Sequence, residues 1–290
     1  MSSSIIIICN PAARKASMKK IERASSYLRA QGFSPEIFVT EKRGHAEYLA
    51  AESVRKAPRM IIAAGGDGTI NEVINGMAGS GIPLAVLPLG TTNVLAKELG
   101  IPDDIHDALE VALAKEPKTV SLGRIEDATH SRYFCLMAGV GFDGRAVRDM
   151  NMSLKKFSGK AAYILSGVKN FFHYSPAEIR LKIDGNEYAC SAAIVGKSSK
   201  YGGNFRVTPD ASLLDPVLYT CIFKGRRRID LLRYVFGVLT GRHLTYGDVV
   251  YLKSTNVEIY GNAHVQIDGD YLGVAPARIS VVKDVLKIIW

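Results

Sequence analysis

Residues 59–77 of this chain read RMIIAAGGDGTINEVINGM. The apolar run Met60–Ala64 is typical of a buried strand, and a glycine-rich break at residues 65–69 follows it. The apolar residues between Ile70 and Met77 then recur at helical spacing. A strand, a glycine turn and a helix in this order direct backbone N–H groups and a helix N-terminus toward an anion. We therefore predict a phosphate-binding loop at this point of the chain.

Asp67 is the unusual member of this loop, because it places an acid among the glycines. A carboxylate in a phosphate cradle repels the ligand unless a cation lies between them, so Asp67 favours a metal–nucleotide over a bare phosphate. A second apolar run, Leu84–Leu89, leads into Gly90-Thr91-Thr92-Asn93 and then into a helical run from Val94 to Leu99. The chain thus carries two strand–loop–helix segments of related chemistry.

The composition is that of a folded protein with an anionic partner. The chain has 290 residues, enough for two domains, of which 47% are apolar and 22% are charged. The net charge of +9 favours a nucleotide, an anionic membrane or nucleic acid as the partner. No nucleic acid is expected, because the chain lacks a basic motif interleaved with aromatic residues. Widely spaced cysteines, no signal peptide and no run of about 20 apolar residues indicate a cytoplasmic protein.

Strands and helices alternate up to about Thr119, which predicts βαβ units and a parallel sheet. In such sheets ligands bind beyond the carboxyl ends of the strands. Asn10, Thr40, Gly65–Thr69 and Gly90–Asn93 each follow a predicted strand. We therefore expect these four positions to meet at one edge of the sheet.

Beyond Thr119 the pattern changes to short, alternating strands separated by turn residues, which predicts an antiparallel sandwich or barrel-like domain. Two helical stretches, at about 159–172 and 229–239, interrupt it, and 285–289 is expected to return to the first domain. Single strands are predicted at 132–138 and 188–195 among others.

Three local patterns leave alternatives open. Residues 139–144 match GxGxxG but lack the acid that a dinucleotide site needs about 20 residues later, so a tight strand-to-helix turn, with Asp143 beside a cleft, is the stronger interpretation. Gly196-Lys197-Ser198 resembles the end of a P-loop, but the first glycine of that motif would fall on Ser191, so the match fails. The basic run 224–228 before an amphipathic helix is either a solvated face or a surface for anionic lipid.

Together these residues resemble the diacylglycerol kinase catalytic superfamily, specifically its bacterial lipid kinases, with sphingosine kinases and NAD kinases as wider relatives. The most specific motifs of this resemblance are GGDGT at 65–69 and GTTN at 90–93. Supporting motifs are AGVGFD at 138–143, SGKAAY at 158–163 and IDGD at 267–270. The resemblance implies an α/β nucleotide-binding domain with a parallel sheet (1–122 and about 284–290), an antiparallel β-sandwich domain (123–283), and an active site in the cleft between them.

The resemblance also implies which residues form the site. ATP is expected on Asn10, Thr40, Gly65, Gly66, Asp67, Gly68, Thr69, Asn71, Gly90, Thr91 and Asn93. The general base of the family follows its IDG turn, which makes it Asp270 here, where the family more often has Glu. Asp67 is the expected Mg²⁺ ligand, and Val94 stands where the pattern often has Asp.

Some relatives carry a structural Mg²⁺ at a DGxL turn, and the matching segment here is Asp215-Pro216-Val217-Leu218. The implied metal ligands are the Asp215 carboxylate and the backbone carbonyls of Ser212 and Val217.

The sequence therefore predicts an ATP- and Mg²⁺-dependent lipid kinase that phosphorylates a diacylglycerol-like or sphingoid-like hydroxyl. We expect it in the cytoplasm, peripheral at the inner face of an anionic membrane. An NAD kinase-like enzyme with a soluble substrate and a non-catalytic lipid-binding relative remain alternatives. A homodimer through an edge strand of the sandwich is compatible with the sequence but not required by it.

Overall fold

A computed structural model describes residues 3–149 and 178–290, which divide into two compact units. Unit 1 comprises Met1–Leu122 and Lys283–Trp290, and unit 2 comprises Gly123–Val282. The helix predicted at 159–172 and the SGKAAY motif at 158–163 lie outside the described residues. Among the helices that are described, none is both long and apolar enough to cross a membrane.

Unit 1 alternates strands and helices. Its elements are β1 (Ser4–Cys9), α1 (Met18–Ala30), β2 (Ser34–Val39), α2 (His45–Arg55), β3 (Met60–Gly65), α3 (Asp67–Met77), β4 (Pro83–Pro88), α4 (Val94–Leu99), α5 (Ile105–Ala114) and the first part of β5 (Pro117–Glu126). The strands pair in parallel in the order β2-β1-β3-β4. At the other end of the chain, Lys287 and Ile288 pair in parallel with β4. The predicted parallel α/β sheet is confirmed.

The sheet of unit 1 is buried on both faces, as its apolar strands predict. Ile5–Cys9 and Ile61–Ala64 are fully buried, since helices cover both sides of a parallel sheet. Helix α3 buries Ile70, Val73, Ile74 and Met77, which is the stripe predicted from their spacing. The helix packs closely on α2 at Gly76, where an added Cβ would overlap the backbone carbonyl of Glu47. The apolar stripe therefore fixes the orientation of α3 and of the loop before it.

Unit 2 is built mainly from two antiparallel sheets, with a further two-stranded sheet formed by residues 200–201 and 205–206. Its elements after β5 are β6 (Ser131–Phe134), β7 (Met137–Gly141), α6 (Phe142–Asp149), β8 (Ile179–Ile183), β9 (Asn186–Cys190), β10 (Ala192–Gly196), β11 (Lys200–Tyr201), β12 (Phe205–Arg206), β13 (Leu218–Phe223), α7 (Arg228–Thr240), a 3₁₀ turn (His243–Thr245), β14 (Val249–Ser254), β15 (Asn256–Tyr260), β16 (His264–Ile267), β17 (Asp270–Val274) and β18 (Ala277–Ile289). One sheet has the order β14-β13-β10-β7-β16-β17. The other contains β18-β15-β8-β9.

Side chains of both sheets form one core, including Val140, Val195 and Val265 from the first and Leu181 and Val257 from the second. This is the predicted antiparallel β-sandwich, which is confirmed.

Two strands predicted as single in unit 2 are each divided in the structure, so these two predictions are wrong. The run 132–138 forms β6 and β7, with a break at Cys135-Leu136, and the run 188–195 forms β9 and β10, with a break at Ser191. At each break the chain passes from one sheet to the other, so the two halves bury their apolar side chains in the same core. Apolar composition alone does not reveal such a break, because both halves are equally buried.

Candidate active site

The glycine loop of unit 1 joins β3 to α3. Gly66 has an extended backbone (φ −92°, ψ −179°) and precedes the first residue of the 11-residue helix α3. The first N–H groups of such a helix point outward, where they can bind an anion. Asn10, which follows β1, donates from Nδ2 to Oγ1 of Thr69 at 3.0 Å. The end of the neighbouring strand is therefore attached to this loop.

The second loop, 90–93, lies against the first. The N–H of Leu89 donates to the carbonyl of Gly65 at 2.9 Å. A Cβ built on Gly90 would lie 2.6 Å from Cα of Gly66 and 2.7 Å from Oδ1 of Asn93, and a Cβ built on Gly66 would lie 3.2 Å from Cα of Gly90. Glycine is thus needed at Gly90 because two backbones touch there. The two loops form one continuous glycine surface.

Asp67 connects the two loops through its carboxylate. Its Oδ1 accepts the N–H of Leu95, in the first turn of α4, at 3.1 Å. Burial raises the pKa of Asp67, although the backbone N–H groups of Val94 and Leu95 and the positive charge of Lys97 act to lower it. The side chain therefore has a visible structural role, beside the metal-binding role that remains a prediction.

The other predicted nucleotide residues lie at the same edge of the sheet, because β1, β2, β3 and β4 are parallel and each is followed by one of them. Thr40 is buried, and its N–H donates to the carbonyl of Cys9 at 2.8 Å. Asn71 is buried within α3 and accepts from Nδ2 of Asn75. Thr91 is exposed, and a Cβ on Gly68 would meet open space.

Asn93 places a buried side-chain oxygen at this edge of the sheet. It has a left-handed backbone (φ 49°) and donates from Nδ2 to the carbonyl of Pro88 at 3.1 Å. Its Oδ1 is buried and has no hydrogen-bond partner among the described residues. This buried oxygen beside Gly90 is an acceptor, so it can take a hydrogen bond from a water or from a donor group of a ligand.

Glu72 is a residue of this site that the sequence analysis missed. Its carboxylate accepts the N–H of Gly44 at 2.8 Å and the N–H of Ala46 at 3.1 Å, so it caps the N-terminus of α2 from the adjacent helix. No local pattern links residues 28 and 26 positions apart, so no sequence signal could have identified it. Glu72 holds α2 beside the glycine loop.

In unit 2, the turn 268–270 is fixed by its first residue. Asp268 has a positive φ of 48°, and its carboxylate accepts the backbone N–H groups of Cys135, Leu136 and Met137, each at 2.9 Å. These are the amides freed where β6 passes into β7. Asp268, predicted only as part of a turn, therefore anchors the segment that carries Asp270.

A buried side-chain network supports the same turn from β16. Oε1 of Gln266 accepts the N–H of Gly269 at 2.8 Å, and Nε2 of Gln266 donates to Oδ2 of Asp143 at 2.6 Å. The hydroxyl of Tyr201 donates to the other oxygen of Asp143. Asp143 is only 8% exposed, and a buried carboxylate needs hydrogen-bond donors. Gln266 and Tyr201 supply one donor to each of its oxygens. The GxGxxG match at 139–144 is thus a strand-to-helix turn that brings Asp143 into this network.

We expect Gly139→Ala to disturb this network. A Cβ at this position would overlap Oδ2 of Asp143 and lie 2.7 Å from Nε2 of Gln266, so the Gln266–Asp143 pair would have to move apart. The expected cost is about 1–3 kcal/mol of unfolding free energy, together with a loss of any activity that depends on Asp270. Denaturant unfolding of the variant beside Gly273→Ala, where a Cβ meets nothing within 4 Å, measures the effect. Equal stability of the two variants would contradict the prediction.

The residues predicted to hold a structural metal lie in the loop before β13. Asp215 is half-buried and accepts from the hydroxyl of Tyr219 at 2.9 Å, and Val217 is also half-buried. The carbonyl of Ser212 accepts from Nζ of Lys197 at 2.5 Å. Burial lowers the pKa of Lys197 to about 8, and the charge of Asp215 acts against this shift.

Comparison with known proteins gives consistent results for both halves of the chain. Residues 4–125 match the family model described as the diacylglycerol kinase catalytic domain, and residues 137–290 match the model of the YegS C-terminal NAD kinase beta sandwich-like domain. The chain is 30% identical over 280 residues to a diacylglycerol kinase of Bacillus subtilis (strain 168), covering 94% of this chain and 91% of that protein. It is also 30% identical to a diacylglycerol kinase of Staphylococcus aureus (strain MRSA252), of which it covers 87%.

A solved structure has the same fold. The crystal structure of a diacylglycerol kinase from Bacillus anthracis str. Sterne aligns with 99% of this chain and 97% of its own, with a TM-score of 0.80 and 22% identity. At this identity the likeness shows the fold alone.

Proposed function

Because this chain belongs to the bacterial lipid kinase family that carries the diacylglycerol kinase catalytic domain, we propose that it transfers the γ-phosphoryl group of ATP to a lipid hydroxyl in the presence of Mg²⁺. The observation that carries this proposal is the pair of glycine loops whose backbones touch at the carboxyl edge of the parallel sheet. Diacylglycerol is the first acceptor to test, since the curated relatives bear its name, and a sphingoid-like lipid is the second.

The loops of unit 1 have the donors that a nucleotide requires. Phosphoryl transfer depends mainly on holding the phosphates and neutralising their charge, with little covalent work for the protein. Backbone N–H groups at Gly66, Gly68 and Gly90 and the hydroxyls of Thr69 and Thr91 are suited to the phosphates. The Asp67 carboxylate would hold Mg²⁺, directly or through water, and the ion when bound neutralises phosphate charge.

Asp270 is proposed as the general base that takes the proton of the acceptor hydroxyl. A base must be held within hydrogen-bond reach of that proton, so a rigid support matters as much as the pKa. The support is present, since Asp268 fixes one side of the turn through three backbone N–H groups and Gln266 fixes Gly269. Asp143 acts on the turn through Gln266 and is therefore proposed as a positioning residue.

Helix α7 is proposed as the surface that contacts the membrane. Its outer face exposes Ile229 (64%) and Phe236 (62%), with Leu232, Val235 and Leu239 also exposed at helical spacing. The exposed run Arg226–Arg228 lies directly before and at the start of this helix. An exposed apolar stripe with arginines beside it matches an anionic lipid surface. We accordingly place the enzyme in the cytoplasm, peripheral at the inner face of the membrane.

This surface predicts the effect of one substitution. Phe236→Glu should weaken binding to vesicles of anionic phospholipid by about tenfold or more, because it replaces an exposed ring, which would be buried in the lipid on binding, by a charge that the lipid repels. Co-sedimentation with vesicles at low salt measures the effect. Tyr48→Glu is the matched control, since Tyr48 is 61% exposed but lies on α2 in unit 1. Wild-type protein that fails to bind the vesicles, or equal binding by both variants, would contradict the proposed surface.

The reaction itself is tested with γ-labelled ATP, Mg²⁺ and a panel of lipids in mixed micelles. Label in a lipid product supports the proposal and identifies the acceptor class. The main rival is an NAD kinase-like reaction, since the sandwich model that matches residues 137–290 is described by its likeness to NAD kinase. Bound ATP with no transfer to any acceptor would favour the non-catalytic relative instead.

A further inference from the structure

Lys197 is a fully buried lysine in unit 2. It follows β10 directly, its side chain is 0% exposed, and its N–H donates to the carbonyl of Leu136 at 2.8 Å. Lysine is almost never fully buried unless its charge is compensated, because desolvating an ammonium group is costly. Neither the predicted nucleotide loops nor the proposed base uses this side chain. Its charge therefore requires an explanation of its own.

Two backbone carbonyls compensate this charge. Nζ of Lys197 donates to the carbonyl of Ser212 at 2.5 Å and to the carbonyl of Asp215 at 2.6 Å. The Asp215 side chain contributes a negative charge close enough to interact with the ammonium. Carbonyl oxygens together with a carboxylate are also ligands that a hard divalent cation takes.

The predicted structural metal and the lysine ammonium thus compete for the Ser212 carbonyl and for the negative charge of Asp215. The Ser212 carbonyl, expected as a metal ligand, is bound by Lys197, and a divalent cation there would lie beside a buried positive charge. We propose that the Lys197 ammonium is the cation of the 212–217 turn, and that it takes the place of the structural Mg²⁺ that the resemblance implies there. The described residues therefore do not fit a metal at this turn.

The lysine holds together a segment that reaches the Asp143 network. Between Lys197 and Ser212 the chain returns on itself, with Oγ1 of Thr208 donating to the carbonyl of Ser198 at 3.0 Å. The same segment carries Tyr201, whose hydroxyl donates to Asp143. Because the Lys197 ammonium is part of the chain, it would hold both ends of this segment together at any metal concentration.

Thermal unfolding of the full chain without nucleotide tests the proposal, and it does not depend on kinase activity. We expect the Tm of the wild type to be the same in EDTA and in millimolar Mg²⁺, within about 2 °C. Lys197→Met should lower the Tm by roughly 5–15 °C, because it leaves the half-buried carbonyls of Ser212 and Asp215 without the Lys197 donor. Lys224→Met, at an exposed lysine of the same unit, should shift it by less than about 2 °C.

A second variant tests whether the two cations share one position. Lys197→Asn removes the charge and leaves room, so Mg²⁺ or Ca²⁺ should raise the Tm of this variant by several degrees while the wild type stays unchanged. A wild type that is stabilised by Mg²⁺ and destabilised by EDTA would overturn the proposal. A Lys197→Met protein that unfolds at the wild-type temperature, or a Lys197→Asn protein that does not respond to either metal, would overturn it as well.

Discussion

Asp270→Asn should lower kcat by roughly 10²–10⁴-fold while leaving ATP affinity and Tm unchanged. Asparagine has nearly the same shape as aspartate but cannot accept the proton of the acceptor hydroxyl. The turn itself should persist, because Asp268 and Gln266 hold it through backbone N–H groups that do not involve the Asp270 side chain. We therefore expect the substitution to lower turnover without changing ATP affinity or Tm.

Steady-state phosphoryl transfer with ATP binding measured in parallel separates these quantities. The matched control is Asp184→Asn, which makes the same change at another hairpin turn of the same unit, the one between β8 and β9. This control should retain turnover. Asp270→Glu should retain part of it, because the acid is kept and only its reach changes. An Asp270→Asn enzyme within tenfold of the wild type would show that another group takes the proton.

Gly90→Ala should weaken ATP binding by about 10–100-fold, which corresponds to about 1.4–2.8 kcal/mol. The added Cβ would lie 2.6 Å from Cα of Gly66 and 2.7 Å from Oδ1 of Asn93, so the two loops would have to separate. Backbone atoms cannot move aside as a flexible side chain can. Separating the loops would therefore displace the phosphate-binding N–H groups of both loops at once. The same change should lower turnover at subsaturating ATP.

Calorimetric titration with ATP and Mg²⁺ measures this effect. Gly247→Ala is the control, because a Cβ on Gly247 meets nothing within 4 Å and its φ is not positive. If the two variants bind ATP equally well, the paired loops are not the nucleotide site and the proposed function loses its main support.

The sequence predicted the elements whose signal is local. The apolar run Met60–Ala64, the glycines after it and the apolar stripe of the following helix lie within 18 residues, so period and composition were sufficient to identify strand, loop and helix. The meeting of Asn10 with Thr69 was also predictable, because parallel strands deliver their carboxyl ends to one edge.

What the sequence could not predict depends on contacts between distant residues. The Asp268 carboxylate binds amides more than 130 positions away, and their availability depends on a break between β6 and β7 that apolar composition conceals. Lys197 was interpreted only as the end of a failed P-loop match, since nothing in its neighbours shows that the chain returns to it at Ser212. Such polar contacts are specified by the fold and not by the local periodicity of apolar residues.

The most direct test of the proposed function is a competition between two acceptors in one reaction. Diacylglycerol in mixed micelles and NAD are offered together with γ-labelled ATP and Mg²⁺, and the label is measured separately in the organic and aqueous products. We predict that the label enters the lipid, and that Asp270→Asn abolishes this signal. Label in the aqueous product, as a phosphorylated NAD, would contradict the assignment as a lipid kinase.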